Sequence, residues 1–316
     1  MYSSKIYTDK EYYFIVNLMS RTGKTGETWD LLKSYLDENN ISYQAIITQG
    51  RGHATELAAL ISDMAADKLI KLIIVGGDGT INEVVNGLKN HDNLRIGLIP
   101  VGSGNDLGRG LSVTAEPLEQ LKFLLSCSSY KAMDLGKAFA GEEKPRYFTI
   151  SAGIGVDAAV CKMVNTSGLK NFLNKIGLGS LTYGILTIKA LFTIPIPDGY
   201  VLFDGIRVDT NRIIFGAAMN HCCEGGGVPM APHADAFDGK LTLCAFNDLS
   251  RFGCLIRFPL LLASKHEKLK QVTMENASRI EIFLNKPAIV HADGEYLGEV
   301  DHIIFEIAEE KMNFIM

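Results

Sequence analysis

The amino-acid sequence predicts two domains, an α/β domain with a mostly parallel sheet followed by a mainly antiparallel, sandwich-like β domain. Three observations support this prediction. The 316 residues suffice for two domains of ordinary size, and a hydrophobic content of 47% suffices for their cores. Apolar runs alternate with helical patterns up to about residue 135, whereas short β-rich runs dominate from Tyr147 onward. We therefore expect a first domain over residues 1–136 and a second over 137–302.

The first domain is expected to contain four parallel strands joined by right-handed crossovers. The strands are predicted over 13–16, 43–47, 72–75 and 96–99, and the helices over 28–36, from Thr55 onward and from Thr80 onward. In the last of these helices, Thr80 and Glu83 have the spacing of a capping box. Because ligands bind beyond the carboxyl ends of parallel strands, the loops that follow the four strands are the candidate binding loops.

The second domain is expected to consist of short strands with two helical interruptions. The strands are predicted over 147–152, 200–203, 213–218, 241–246, 280–284 and 289–292, and the helical stretches near 169–192 and 252–268. Two closing runs, 302–307 and 311–316, can pair with either domain. The strand near 303–316 can therefore return to the first domain.

Composition and charge limit the partners and the cellular compartment that we expect for this chain. A net charge of -5 and a pI near 5.8 argue against nucleic acid as a partner. The six cysteines contain no CxxC spacing, which favours free thiols in a reducing cytosol and hence a cytoplasmic protein. Residues 1–13 lack the apolar core of a signal peptide, and we find no charge-free apolar stretch of about 18 residues.

The most informative stretch is the glycine turn Gly76-Gly77-Asp78-Gly79-Thr80, which follows a four-residue apolar strand and opens a helix. Its glycines allow close approach of the backbone to a ligand. The free N–H groups and positive dipole end of the helix are what a phosphate requires. Asp78 would repel a polyphosphate unless a cation, a ribose or water lay between them. This turn therefore suggests a nucleotide with magnesium.

A second glycine turn, Gly102-Ser103-Gly104-Asn105-Asp106, follows the next strand. If the two strands are adjacent in a parallel sheet, both turns can grip one ligand from opposite sides. Asp78 and Asp106 would then flank its phosphates through water and magnesium. The alternative, two tight turns that serve only the fold, stays open.

Two further glycine motifs give weaker signals. Gly23-Lys24-Thr25 looks like the end of a Walker motif, but Leu18 occupies the position of its earlier glycine. Residues 153–158, with the sequence GIGVDA, match a loose dinucleotide-binding pattern. They lie in the β-rich half and lack an acidic residue about 20 positions later, so a packing role is favoured for their glycines.

The two glycine turns together resemble those of bacterial diacylglycerol kinases and sphingosine kinase-like lipid kinases, and the resemblance spans nearly the whole chain. The stretches that carry it are 76–84, 100–109, Asn17 with Ser20 and Gly23-Lys24, Gly52-His53-Ala54, Asp235 with Asp238-Gly239, and Asp293-Gly294-Glu295. NAD kinases and phosphofructokinases share the motif Gly-Gly-Asp-Gly-Thr. The residues that distinguish the lipid kinases from these families are Asn82-Glu83, Asn105-Asp106 and the late Asp-Gly-Glu. The sequence departs from the family at Ser103, where threonine is more usual, and at Leu18, where proline is usual.

The resemblance implies an ATP-dependent lipid kinase that transfers the γ-phosphate to the hydroxyl of diacylglycerol or a related lipid, with ATP and Mg²⁺ as cofactors. The implied nucleotide-binding residues are Asn17, Thr48, Gly76, Gly77, Asp78, Gly79, Thr80, Asn82, Gly102, Ser103, Asn105 and Asp106. A kinase acting on an alcohol needs a carboxylate that accepts the hydroxyl proton. Among the implied catalytic residues Glu295, Asp293 and Asp78, Glu295 is assigned as this base and Asp293 to the nucleotide or magnesium, with the reverse left open.

The resemblance also implies a structural magnesium site, away from the reacting phosphate, made by Asp235, Asp238 and the carbonyl of Lys240. An ordinary β-turn at Asp238-Gly239 is the alternative.

The implied partners are a membrane lipid substrate and a membrane surface contacted peripherally, and a homodimer is left open. Because the phosphate loops and the base fall on different domains, the active site is expected in the cleft between them. Two other functions stay open. One is a non-catalytic regulator that binds lipid or nucleotide, and the other is a kinase of a soluble substrate such as NAD.

Overall fold

The computed structural model describes residues 11–20, 25–89, 91–141, 144–166 and 179–316, and for 165–166 and 179–183 only their backbone. Predictions for Gly23-Lys24 and for 169–178 therefore lie outside the described residues. The chain forms two compact units. Unit 1 comprises the described residues up to Leu135, Gly225–Gly227 and Glu309–Met316, and unit 2 comprises the described residues within Gly136–Glu224 and Val228–Ala308.

Unit 1 contains a parallel sheet with the strand order β4-β3-β1-β2. Its strands are β1 (Tyr12–Val16), β2 (Tyr43–Ile47), β3 (Ile70–Gly76) and β4 (Leu94–Pro100). Its helices are α1 (Thr25–Glu38), α2 (His53–Met64), α3 (Asp78–Gly87), α4 (Asp106–Gly110) and α5 (Pro117–Ser126). Near the end of the chain, Phe314 adds a parallel pair with Ile96. The predicted α/β architecture with parallel strands is confirmed.

The sheet of unit 1 is buried on both faces, as a parallel sheet requires. Successive strand residues point to opposite faces, and all five residues of β1 are buried. On one face, Phe14 of β1 belongs to a core cluster with Trp29 and Leu32 of α1 and Leu124 of α5. The neighbouring Tyr13 and Ile15 are equally buried and point to the other face. This burial explains the continuous apolar runs of the sequence.

The predicted capping box of α3 is wrong. The helix begins at Asp78 with Gly77 as its N-cap, and no side-chain cap hydrogen bond forms there. The Glu83 carboxylate instead accepts hydrogen bonds from the backbone N–H groups of Gly52 (2.9 Å) and Ala54 (3.2 Å) at the start of α2. Glu83 thus satisfies free donors of the neighbouring helix rather than of its own. The spacing along the sequence predicted that Glu83 caps its own helix, whereas in the structure it caps the neighbouring one.

Unit 2 is built on antiparallel strands, which confirms the predicted architecture. The order β12-β11-β10-β7-β13-β14 forms its main path, while β8 pairs with β13 and β9, and β5 pairs with β6. The strands are β5 (Tyr130–Ala140), β6 (Arg146–Phe148), β7 (Ser151–Gly155), β8 (Gly199–Phe203), β9 (Ile206–Thr210), β10 (Phe215–Met219), β11 (Leu241–Phe246), β12 (Val272–Ala277), β13 (Arg279–Ala292) and β14 (Glu295–Ile315). The first part of β5 and the last part of β14 belong to unit 1.

The helices of unit 2 are α6 (Val156–Thr166), α7 (Gly179–Thr193) and α8 (Arg251–Leu262), followed by a 3₁₀ turn at His266–Lys268. The sequence did not predict α6. It also predicted two separate strands where β13 is continuous, because the break around Pro287 resembles a strand end. In the structure the pairing with β14 shifts between Phe283 and Ala288, so the strand passes the proline through an irregular stretch.

Unit 2 should lose stability in mild acid because of His221. This histidine is buried, and burial lowers its pKa from 6.5 to about 4, although Asp235 acts in the opposite direction. The unfolded chain therefore takes up the proton first as the pH falls. We expect the free energy of unfolding to drop by about 3 kcal/mol between pH 6.5 and pH 4. Denaturant titrations at several pH values measure this slope, and a folded His221→Gln variant should reduce it; an equal slope in both proteins would contradict the assignment.

Candidate active site

The two glycine turns of unit 1 lie against each other. They leave adjacent parallel strands, since Gly76 pairs with Pro100, and the Val101 N–H donates to the Gly76 carbonyl (2.9 Å). A Cβ atom at Gly102 would come within 2.6 Å of Gly77 Cα, and one at Gly77 within 3.0 Å of Gly102 Cα. Only residues without a side chain allow this approach of two backbones. The turns therefore form one structural feature at the carboxyl edge of the sheet.

Asp78 links the first glycine turn to the second. Its two carboxylate oxygens accept hydrogen bonds from the N–H groups of Asp106 and Leu107, each at 3.2 Å. These are among the first donors of α4, which have no partner within their own helix. Asn105, in the left-handed conformation with φ 55°, closes the turn by bonding both the N–H and the carbonyl of Gly102. Asp78 thus fixes the relative position of the two turns.

The predicted residues of the first two loops lie at the same edge of the sheet. Asn17 follows β1 and donates from Nδ2 to Oγ1 of Thr80 (2.9 Å), while its N–H donates to the Val75 carbonyl. Thr48 follows β2 and its N–H donates to the Val16 carbonyl. Asn82 is fully buried within α3. The structure therefore brings the side chain of Asn17 to the first turn of α3.

Space for a ligand exists beside both turns. A Cβ atom at Gly79, in the first turn of α3, would meet nothing within 4 Å. Ser103 is exposed. A cavity of about 420 Å³ borders the second turn, and its lining includes Pro100, Val101 and Asn105. The first N–H groups of α3 and the exposed Ser103 of the second turn provide donors of the kind that bind phosphate.

The Asp106 carboxylate forms an ion pair and a hydrogen bond with other groups of the protein. It is buried, and its Oδ1 lies 2.5 Å from Nη1 of Arg109. Its Oδ2 accepts a hydrogen bond from the Gly226 N–H (2.7 Å), within the segment Gly225–Gly227 of unit 1. Sequence reasoning missed this segment, although three consecutive glycines, all with positive φ, mark it. The predicted contact of Asp106 with phosphate through magnesium stays a prediction.

In unit 2, Asp293 and Gly294 form the tight turn between β13 and β14. Both have positive φ, 46° and 82°, as a type I′ hairpin requires. The Asp293 carboxylate accepts hydrogen bonds from three backbone N–H groups and one hydroxyl. These donors are Thr149 N–H (2.7 Å), Thr149 Oγ1 (3.0 Å), Ile150 N–H (2.9 Å) and Ser151 N–H (3.1 Å). Asp293 therefore anchors the turn, and the half-buried Glu295 begins the next strand.

A second cluster in unit 2 was not predicted as a site. One ligand-type atom each of Asp157, Cys161 and His291 lies within 4.8 Å of the others. Nε2 of His291, a side chain only 2% exposed, lies 2.5 Å from Oδ2 of Asp157. Burial alone would lower the pKa of His291, but the adjacent Asp157 carboxylate outweighs it and raises that pKa.

The surroundings of this cluster are negatively charged. Burial raises the pKa of the Cys161 thiol well above its usual value, and nearby carboxylates act in the same direction. Those carboxylates belong to Asp157, Glu224 and Glu295. The thiol is therefore protonated at neutral pH. Because the Glu295 carboxylate is one of those nearby carboxylates, Glu295 and the cluster are close enough to interact.

The packing role predicted for the glycines of 153–158 is confirmed. A Cβ atom at Gly153 would lie 2.8 Å from the Asp157 carboxylate and 2.9 Å from Nε2 of His291. Gly155 has φ +85°, and a Cβ there would lie 2.3 Å from the Ile214 carbonyl oxygen. Both positions exclude a side chain, so the motif reflects packing around the cluster.

Asp235, Asp238 and Lys240 lie in one exposed turn of unit 2. Oδ1 of Asp235 accepts from the Phe237 N–H (3.1 Å), and Oδ1 of Asp238 accepts from the Lys240 N–H (2.9 Å). Gly239 has φ +76°. Two carboxylates and a backbone carbonyl are oxygen donors of the type that Mg²⁺ prefers, so this donor set fits the ion.

Two stretches of the chain match known protein families. Residues 11–138 match the diacylglycerol kinase catalytic domain, and residues 150–314 match the YegS C-terminal NAD kinase beta sandwich-like domain. The protein named "Putative lipid kinase YtlR" of Bacillus subtilis (strain 168) is 29% identical over 293 residues, covering 91% of this chain and 94% of that protein. A diacylglycerol kinase of Staphylococcus carnosus (strain TM300) is 30% identical over 234 residues, 72% of this chain and 71% of the relative.

A solved structure shares the fold. The crystal structure of a "putative diacylglycerol kinase" from Bacillus anthracis (strain Sterne) superimposes with a TM-score of 0.75 and covers 97% of both chains. Its sequence identity is 22%, so the likeness concerns the fold alone.

Proposed function

Because the chain belongs to the diacylglycerol kinase family of lipid kinases, we propose that it transfers the γ-phosphate of ATP to a hydroxyl group of diacylglycerol or a related lipid. The observation that carries this proposal is the contact between the two glycine turns. Two backbone turns meet at the carboxyl edge of a parallel sheet, with a helix N-terminus beside them and open space at Gly79. This arrangement suits a polyphosphate and is the region that ligands occupy in such sheets.

Unit 1 would bind the nucleotide. The phosphates would lie across the turns 76–80 and 102–106, where backbone N–H groups and the hydroxyl of Ser103 can donate to them. Asn17 would hold Thr80 in place, since its Nδ2 donates to the threonine hydroxyl. Thr48 and Asn82 complete the proposed set at the same edge of the sheet. Asp78 serves this site by fixing one turn against the other.

Magnesium, when bound with ATP, supplies positive charge that offsets the developing charge on the transferred phosphate. The carboxylates of Asp78 and Asp106 each accept two contacts from the protein, and their remaining lone pairs would hold the ion that accompanies the nucleotide. Asp235, Asp238 and the Lys240 carbonyl would hold a separate structural ion.

Unit 2 would supply the base. The acceptor hydroxyl oxygen forms a bond to the γ-phosphorus, the bond from that phosphorus to the bridging oxygen of ADP breaks, and the hydroxyl proton passes to Glu295. The choice of Glu295 over Asp293 rests on hydrogen bonding, because the Asp293 carboxylate already accepts four hydrogen bonds.

A panel of acceptors tests this function. The purified protein is incubated with Mg²⁺-ATP and vesicles that contain diacylglycerol, monoacylglycerol, a sphingoid base or phosphatidylglycerol, and phosphorylated lipid is detected by mass spectrometry. A parallel reaction with NAD is read by NADP formation. Phosphorylated lipid is the expected product. NADP alone would indicate a soluble substrate, and thermal stabilisation by ATP without any product would indicate a non-catalytic regulator.

A lipid substrate requires contact with a membrane, and we propose that α7 and α8 provide it. Among the described residues, no helix combines the length and apolar character needed to cross a bilayer. These two helices nevertheless expose large apolar side chains, namely Ile185, Ile188, Phe192, Phe252, Leu255 and Ile256. The rings of Phe192 and Phe252 contact each other at 5.2 Å, so the two helices present one apolar surface. Exposed Lys189, Lys265 and Lys268 can meet anionic headgroups.

Removing this surface should weaken membrane binding. A double variant, Phe252→Ser with Ile256→Ser, loses two side chains that are 67% and 75% exposed. We expect at least a tenfold lower affinity for phosphatidylglycerol-containing vesicles in a sedimentation assay, because each large apolar side chain contributes about 1.5–3 kcal/mol when buried. Ile206→Ser, at a 72% exposed position on β9, is the matched control. Equal loss in the control, or none in the double variant, would exclude α8 as the contact.

A further inference from the structure

The turn that precedes Glu295 is held by a second contact besides the Asp293 carboxylate. The N–H of Gly294 donates to Nδ1 of His291 at 3.2 Å. The opposite nitrogen of the same ring, Nε2, lies 2.5 Å from Oδ2 of Asp157 in the first turn of α6. The buried imidazole therefore connects a helix to the hairpin from which Glu295 extends.

The partners of the two ring nitrogens define the protonation state. A carboxylate oxygen can only accept from a ring N–H, so Nε2 carries a proton. The backbone N–H of Gly294 can only donate, so Nδ1 presents its lone pair. A proton on Nδ1 would point at the Gly294 N–H, so this contact disfavours a second ring proton. Despite burial, the Asp157 carboxylate raises the pKa of His291, but a second proton on Nδ1 would turn the Gly294 hydrogen bond into a donor–donor contact, so the hydrogen bonds correspond to a ring protonated at Nε2 only.

The same geometry argues against a metal ion at Asp157, Cys161 and His291. A histidine that binds a metal through one nitrogen normally donates the other N–H to an acceptor. If Nε2 of His291 bound a metal, the ring proton would move to Nδ1. Two hydrogen-bond donors, Nδ1–H and the Gly294 N–H, would then face each other, which is unfavourable. Gly153 leaves only enough room for the side-chain pair, since a Cβ there would lie within 2.9 Å of both partners.

We propose that His291 and Asp157 are positioning residues for Glu295. Asp157 fixes the ring proton on Nε2, Nδ1 then accepts the Gly294 N–H, and this bond sets the direction in which the chain enters β14. The proposal rests on the proposed function, because it assigns the pair to the base of that reaction. A catalytic base must stay within hydrogen-bond reach of the proton that it accepts, so a small displacement of its backbone lowers the rate.

Two variants of one residue separate this role from simple packing. In His291→Asn the side-chain oxygen can occupy the place of Nδ1 and accept from Gly294, whereas in His291→Gln the polar group reaches toward Asp157 and the Gly294 N–H loses its acceptor. We expect His291→Gln to lower kcat about tenfold with an unchanged KM for ATP. His291→Asn should stay within about threefold of the parent protein. Cys161→Ser, which changes the third member of the cluster, should leave kcat unaltered.

The readouts are kcat and KM for ATP with the acceptor found in the lipid panel, together with the melting temperature of each variant. Equal kcat losses in folded His291→Asn and His291→Gln would overturn the positioning role. Stoichiometric zinc in the purified protein that is lost in both Cys161→Ser and His291→Asn would overturn it in favour of a metal site.

A spectroscopic measurement separates failure of this inference from failure of the proposed function. Two-bond ¹H–¹⁵N spectra of histidine-labelled protein, assigned with His291→Gln, should show His291 protonated at Nε2 and unprotonated at Nδ1. This result is expected whether or not lipid is phosphorylated. A proton on Nδ1 at neutral pH would contradict the inference while leaving the kinase assignment intact; an inactive Glu295→Gln variant beside a fully active His291→Gln would do the same.

Discussion

Replacing Glu295 with glutamine is expected to lower kcat by about 10²–10⁴-fold, the usual contribution of a general base. Glutamine has nearly the same size and keeps a hydrogen-bonding oxygen, but it cannot accept the hydroxyl proton. KM for ATP should change little, because the proposed phosphate turns belong to unit 1 and Glu295 to unit 2. Initial rates of phosphate transfer at several ATP concentrations measure both parameters.

Asp293→Asn is the informative comparison for this prediction. Its carboxylate accepts hydrogen bonds from 149–151, so its loss should appear mainly as a lower melting temperature. If Asp293 were the base, the outcome would be reversed. A folded Asp293→Asn protein would then be inactive and Glu295→Gln would retain the parent rate.

Replacing Gly102 with alanine is expected to raise KM for ATP by about 10–100-fold. The added methyl group would come within 2.6 Å of Gly77 Cα and 2.8 Å of the Asn105 carboxamide oxygen. A backbone neighbour cannot move aside as a side chain can, so the two turns must separate. Such overpacking costs about 1–3 kcal/mol, and we expect that cost to fall on nucleotide binding.

Titration calorimetry with ATP and steady-state kinetics measure this effect. Gly184→Ala is a matched control, since it adds the same methyl group within α7 at a position with nothing within 4 Å. An unchanged ATP affinity in Gly102→Ala would show that the contact between the turns does not matter for the nucleotide.

The sequence predicted the architecture of unit 1 because its signals are local. A strand buried on both faces needs a continuous apolar run, and β3 has one. Glycines at the ends of β3 and β4 mark close backbone approach in the same way. Contacts between distant residues could not be predicted. Asp78 bonds the N–H groups of α4, 28 and 29 residues later, and Glu83 caps a helix that begins about 30 residues earlier.

In unit 2, contacts between residues that are distant in sequence were even harder to predict. The Asp293-Gly294 segment is a tight hairpin turn that the Asp293 carboxylate anchors, and Glu295 follows it at the start of β14. The pair of His291 and Asp157 spans 134 residues of sequence, and Asp106 and Gly226 span 120. No local pattern encodes such pairs, because they arise only when the fold brings their strands and helices together.

The most direct measurement is transfer of label from [γ-³²P]ATP into diacylglycerol vesicles, with the parent protein and the Glu295→Gln variant compared side by side. The account predicts labelled phosphorylated lipid with the parent protein, formed at least 100-fold more slowly by the variant. Label that enters the lipid at equal rates with both proteins would contradict the assignment of Glu295, and label that enters no lipid of the panel would contradict the kinase itself.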